Sequence, residues 1–340
     1  MARVVTFGEI MLRLLPEGYG RLFQNDRMTA TFGGAEANVA VSLANFGIES
    51  AFVTKVPEHA IGQGAVNELR RFGVNISYIR HGGDRLGIYY LEKGASQRGS
   101  VCIYDRAHSS FQESLRQEYD WERILDGADW FHFSGITPAL GSELVQACED
   151  ACRCARSRGI MVSCDLNYRS KLWSREQANS AMTELCQYVD ICIANEEDAK
   201  DVFGIEASGT DVYAGSLNKD GYREVAGQLR ERFGFQKVAL TLRTSLSASD
   251  NKWSGMLLDD AGCYESKEYD LHIVDRVGGG DSFCAGLIYS LLTGKDSQDS
   301  IEFAVAASAL KHSIEGDFNR VSVDEVERLA GGDASGRVRR

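Results

Sequence analysis

The chain has 340 residues, 44% hydrophobic and 25% charged, with a formal net charge of −12. That makeup suits a globular protein with a core of ordinary size. The acidic balance argues against nucleic acid as a partner, which calls for a basic surface. No run reaches the roughly 18 apolar residues that span a bilayer, so no membrane partner is expected.

The N-terminal stretch MARVVTFGEIMLRL reads as a first strand. Gly8, Glu9 and Arg13 interrupt its apolar run, which does not fit a signal peptide. Nine cysteines in a chain too long to need a disulfide scaffold read as free thiols, and the expected location is the cytoplasm. In FGGAEANVAVSLANFG, Gly33 and Gly34 open a helix expected from about Glu36 to Phe46, with Asn38 in its first turn. A glycine pair lets backbone amides meet a polyol, and a buried Asn both donates to and accepts from hydroxyls. A helix entry with glycines for close packing explains the same residues.

Ser77–Tyr104 holds short alternating strands joined by glycine turns, with no long helix between them. With part of 11–31 it reads as a small antiparallel β lid formed mainly by about 11–31 and 77–106; an edge extension of a larger sheet is the alternative. From about Phe131, continuous apolar strands alternate with amphipathic helices. The expected class is α/β, a doubly wound, mostly parallel sheet flanked by helices. Cys148, Cys152 and Cys154 have the spacing of one helix and read as packed thiols, against a zinc site. The polar stretch GIEASGTDVYAGSLNKDG reads as a surface loop. The body is expected over 1–328, with a disordered tail at 329–340.

Ligands of such sheets bind beyond the carboxyl ends of the strands. DLNYRSKLW places Asp165, Asn167 and Arg169 there, and NEEDAK places Asn195, Glu196, Glu197 and Asp198. The acids of NEEDAK suit Mg²⁺ held through water; they equally match the positive end of a helix dipole. In VDRVGGGDSF, Gly278, Gly279 and Gly280 precede Asp281 and an apolar helical run. Backbone N–H groups at a helix N-terminus lack partners, so a glycine turn there suits a phosphate. A carboxylate beside an anion site makes sense as a general base for an attacking hydroxyl. An Asp helix cap after a flexible turn is the competing reading.

Together, GGAEANVA followed by Gly47 and DRVGGGDSFCAG resemble the two signatures of the ribokinase-like (PfkB) carbohydrate kinase family. The resemblance runs along essentially the whole chain. It implies an ATP-dependent carbohydrate kinase with Asp281 as catalytic base and Gly278–Gly280 as anion hole. GIYYLEKGASQRGS, YDR and ALKHSIEGDFN look like the branch acting on 2-keto-3-deoxygluconate. That implies a sugar acid phosphorylated at its 6-position; a fructokinase- or ribokinase-type kinase and a non-catalytic sugar sensor are the alternatives. A carboxylate substrate calls for arginine and tyrosine. Tyr90, Tyr104 and Arg106 on the lid are the expected clamp, with Gly33, Gly34, Asn38, Arg169 and Asp317 completing the sugar side. Asn167, Asn195, Thr241, Arg243 and Ser308 are expected on the nucleotide side, with adenine against the small-residue face Ala304–Ser308. The resemblance implies ATP and Mg²⁺, leaves a monovalent cation open, and suggests a homo-oligomer formed through lid strands. Asp198 stands where the family motif ends in Glu, and Arg276 where Thr is usual.

Overall fold

The computed structural model describes residues 2–195, 197–207 and 219–333. Most of the polar stretch after Gly204, and the tail from 334, lie outside the described residues. Among the described residues, the largest unit is a ten-stranded sheet. Its parallel centre runs Lys237–Ser245, Ile191–Asn195, Met161–Asp165, Trp130–Ser134, Arg3–Phe7 and Glu49–Val56. Beyond Lys237–Ser245 the edge turns antiparallel through Asp250–Leu258.

The central strands are apolar on both faces because each face is covered by helices. Alternate residues serve opposite layers. Cys192 and Ala194 join the layer containing the helix Ser142–Ser157, whereas Ile191 and Ile193 join the layer containing Gly279–Leu292 and Ser297–Lys311. Cys148, Cys152 and Cys154 all face the first layer, as packed thiols.

A separate four-stranded sheet has the order Met28–Gly33, Met11–Pro16, Ile88–Glu92 and Val101–Asp105. Its outer pairings are antiparallel and its middle one is parallel. The parallel pair follows from the chain's route, since two helices and two strands of the large sheet intervene before it returns to the lid. The lid begins later than the sequence suggested. Ile79–His81 pairs parallel with Glu49–Val56 at the edge of the large sheet, so the 77–106 boundary is corrected to a lid segment starting near Ile88. The lid's inner face carries Met11, Leu15, Tyr89 and Leu91, a small apolar cluster that also touches Val277.

Candidate active site

A cavity of about 500 Å³ opens beyond the carboxyl ends of the central strands and beneath the lid. Its walls include Asn38, Asp165, Asn195, Thr241, Gly280 and Asp281. The glycine turn starts the helix Gly279–Leu292, with Gly278 as its cap. Gly278 has φ of 81°, a left-handed conformation, and a side chain there would meet the Asp317 carbonyl at 2.1 Å. Gly279 lies against the His312 ring, where a Cβ would come within 2.5 Å. Gly280 is open: a Cβ there would meet nothing within 4 Å. The turn is therefore packed from behind at Gly278 and Gly279, while Gly278 and Gly280 line the cavity.

Asp281 is half-buried and lines this cavity. Asn38 donates its Nδ2 to Asp281 Oδ2 at 2.6 Å. Burial pushes the Asp281 carboxyl up to about 7; the Asn38 hydrogen bond opposes that rise, and Asp317 and Glu36 add to it. A carboxyl poised near neutrality, next to a helix mouth, can exchange a proton with a bound hydroxyl. Asn38 stands on the helix Ala35–Asn45, whose Glu36 is buried and accepts from Ser134 N, Ser134 Oγ and Thr137 Oγ1. Gly33 serves close approach: a Cβ there would collide with the Asp317 carboxylate at 2.0 Å.

The lid is fastened by buried charges. Arg13, fully buried on Met11–Pro16, donates to Asp317 Oδ1 at 2.7 Å and also pairs with Asp275. Asp275 accepts from the backbone N–H groups of Val277 and Gly316. Tyr89 donates its hydroxyl to Asp317 Oδ2 at 2.5 Å. One ion cluster thus joins two lid strands to the loop that shapes the glycine turn. Arg106 is buried and bonds the Glu9 carboxylate through Nε and Nη2.

At the ends of the neighbouring strands, Asn195 Oδ1 accepts from Glu197 N and Asp198 N. Asp198 accepts from Tyr168 N at 2.9 Å and Asn195 N at 3.1 Å, joining the two loops. Asn167, at φ 39°, donates to Asp165 Oδ2. Burial, then Asp198 and Asp281, push the Asp165 carboxyl well up. Arg169 is exposed, lines the cavity, and has no carboxylate within ion-pair distance among the described residues.

The model of pfkB family carbohydrate kinases matches residues 1–319. The chain belongs to this family. It is 33% identical over 336 residues to a 2-dehydro-3-deoxygalactonokinase of Haloferax volcanii, covering 98% of each chain. Identity to a 2-dehydro-3-deoxygluconokinase of Bacillus subtilis is 27% over 322 residues, covering 94% of this chain and 93% of the other. A crystal structure of 2-dehydro-3-deoxygluconokinase from Thermotoga maritima matches with a TM-score of 0.94 and 52% identity, covering 97% of this chain and 98% of that one.

In this PfkB-family kinase, several expected residues stand apart from the cavity. Tyr90 alternates to the far side of its strand; Tyr89 is the one lining the cavity. Arg106 does reach the cavity, but Glu9 already balances its charge. Ser308 is fully buried and donates to the Gly279 carbonyl at 2.7 Å, so it braces the glycine turn from behind. The small-residue face Ala304–Ser308 packs on the helix Gly279–Leu292, where a Cβ on Gly286 would meet Ala304 at 2.9 Å. That face is filled by helix packing, not open to adenine. Sequence reasoning missed Arg13, Tyr89, Glu9 and Asp275. Arg13 carried a signal: it interrupts the apolar face Met11–Leu15 of a period-two strand.

Proposed function

We propose that this kinase transfers the γ-phosphoryl group of ATP to the 6-hydroxyl of a 2-keto-3-deoxy sugar acid, most closely 2-keto-3-deoxygluconate. The observation that carries the reading is the Asp281 carboxyl beside the open Gly280 turn, in one cavity with an unpaired arginine. Asp281 takes the hydroxyl proton as the phosphorus is attacked. The N–H groups at the start of Gly279–Leu292 stabilise the charge that develops on the transferring group. Asn38 aims the base through its hydrogen bond. The lid keeps out water, a competing nucleophile.

The sugar carboxylate is assigned to Arg169, with the Tyr104 hydroxyl beside it. Both line the cavity, and Arg169, whose Nη1 donates to the Tyr168 carbonyl at 3.1 Å, keeps its Nε and Nη2 donors for a carboxylate. Arg106 serves instead to hold Glu9. Mg²⁺ supplies charge neutralisation on the phosphates when bound. Among the described residues no three His, Cys, Asp or Glu side chains converge as direct ligands. Asn195, Glu197 and Asp198, which line the same cavity, would hold such an ion through water.

Both epimers belong in the test, because the relatives carry gluconate and galactonate names. ADP release is measured with ATP, Mg²⁺ and a panel of the two 2-keto-3-deoxy acids, gluconate, fructose and ribose. Turnover on a keto-deoxy acid at least tenfold above the neutral sugars is expected; preference for fructose or ribose would reject the sugar-acid assignment. The lid's outer strand exposes Val101 and Ile103, and we assign this edge to pairing with a second copy in a cytoplasmic homo-oligomer. Ile103→Lys should then sediment as a smaller species than the parent chain.

A further inference from the structure

We propose that Arg276 and Arg243 form a two-guanidinium clamp for the β- and γ-phosphates of the nucleotide. The proposal rests on the kinase reading above and adds a phosphate-binding residue, Arg276, at a position where the family resemblance offers threonine. Both arginines line the cavity that holds Gly280 and Asp281. Arg276 lies two residues before the cap Gly278, and Arg243 lies at the end of Lys237–Ser245, two residues beyond Thr241.

Among the described residues, neither arginine has a carboxylate within 4.0 Å, although the acids nearby are numerous. Asp275, next to Arg276 in the chain, is already committed to Arg13. Two like charges facing one cavity without a counter-ion repel each other. Burial lowers the Arg276 guanidinium from its usual value, and Arg243 lowers it further. Such an arrangement is relieved by a polyanion, and a forked donor matches phosphate oxygens.

Arg276 is also aimed. Its Nη2 donates to the Ala248 carbonyl at 3.0 Å, leaving the remaining N–H groups for the cavity. Ala248 in turn donates its backbone N–H to Ser96 O at 2.7 Å, and Ser96 N donates to Ser249 Oγ. Ser96 belongs to the turn between the lid strands Ile88–Glu92 and Val101–Asp105. The loop that orients the phosphate arginine is thus the one on which the lid rests. His312, beside the same turn, adds no charge, since burial pushes it down to about 4.

The test is direct nucleotide binding by titration calorimetry on the full chain, parent and Arg276→Thr, with ATP, ADP and AMP in turn. ATP and ADP should bind roughly 10- to 100-fold more weakly in the variant, the scale of a lost charge-assisted hydrogen bond, while AMP is unaffected. KM for the sugar acid should stay at the parent value. Unchanged ATP affinity, or an equal loss on AMP, would overturn the clamp; so would a rise confined to the sugar-acid KM. A melting temperature matching the parent's shows that the variant is folded, and Arg276→Lys should recover part of the ATP affinity. Because binding is read without turnover, the clamp can fail while the kinase reading stands. Conversely, a parent chain that binds ATP but phosphorylates no sugar acid would defeat the substrate assignment alone.

Discussion

The lid and the cavity beneath it use their cations in opposite ways. In the lid the buried or half-buried cations are matched: Arg13 with Asp275 and Asp317, Arg106 with Glu9, Lys93 with Glu315. In the cavity Arg243 and Arg276 stand without carboxylates among the described residues, as does Arg169 beneath the lid. Matched charges fix the position of backbone and neighbouring side chains; unmatched ones leave their electrostatics for a ligand. The difference separates scaffolding from recognition more reliably than residue type does.

That contrast can be broken at its centre first. Asp281→Asn should lower kcat by roughly 10²–10⁴-fold, the scale of a lost general base. The melting temperature should not fall, because a carboxyl raised to about 7 is already disfavoured in its charged form. Steady-state kinetics beside a thermal melt reads both. The next largest effect lies in the lid. Arg13→Leu leaves Asp275 and Asp317 buried without their cation, and should cost about 3–5 kcal/mol in denaturant unfolding.

A pH profile sharpens the comparison. Asp281 must be ionised to accept a proton, so kcat/KM for the sugar should rise with pH up to about 7 and level off above it. Asn38 favours the ionised form, so Asn38→Ala should move that limb to higher pH in addition to weakening sugar binding. Smallest is Ser308→Ala, which removes one hydrogen bond to Gly279 O and should cost about 1 kcal/mol with KM for ATP unaltered. A large rise in that KM would restore Ser308 to the nucleotide side.

The parts of this molecule that were legible in the sequence are the local ones. Gly278–Gly280 and Asp281 are adjacent, and their helix follows directly, so motif and geometry coincide. The parallel core was legible because burial on both faces writes an apolar run into each strand. In the sequence Tyr90 reads as a cavity residue as readily as Tyr89, because an alternating strand offers two faces and only its neighbour decides which is inward. That neighbour is Arg13, opposite Tyr89 in the parallel register. Arg106 looked available because its partner Glu9 is 97 residues away. Ile79–His81 reads as lid in the sequence because its pairing strand lies upstream, past an intervening helix. Ser308 shared the small size of an adenine-facing residue and of a packed one, and size alone does not distinguish them.

The Arg13 cluster has a bearing on how such a chain can drift. Its three members stand 262 and 304 residues apart along the sequence, counted from position 13. Replacing the guanidinium strands two acids; replacing either acid removes one of the two carboxylates that hold the buried cation. Any lineage keeping this lid must therefore alter positions 13, 275 and 317 in concert or hold all three constant, so correlated substitution at these sites is its expected evolutionary trace.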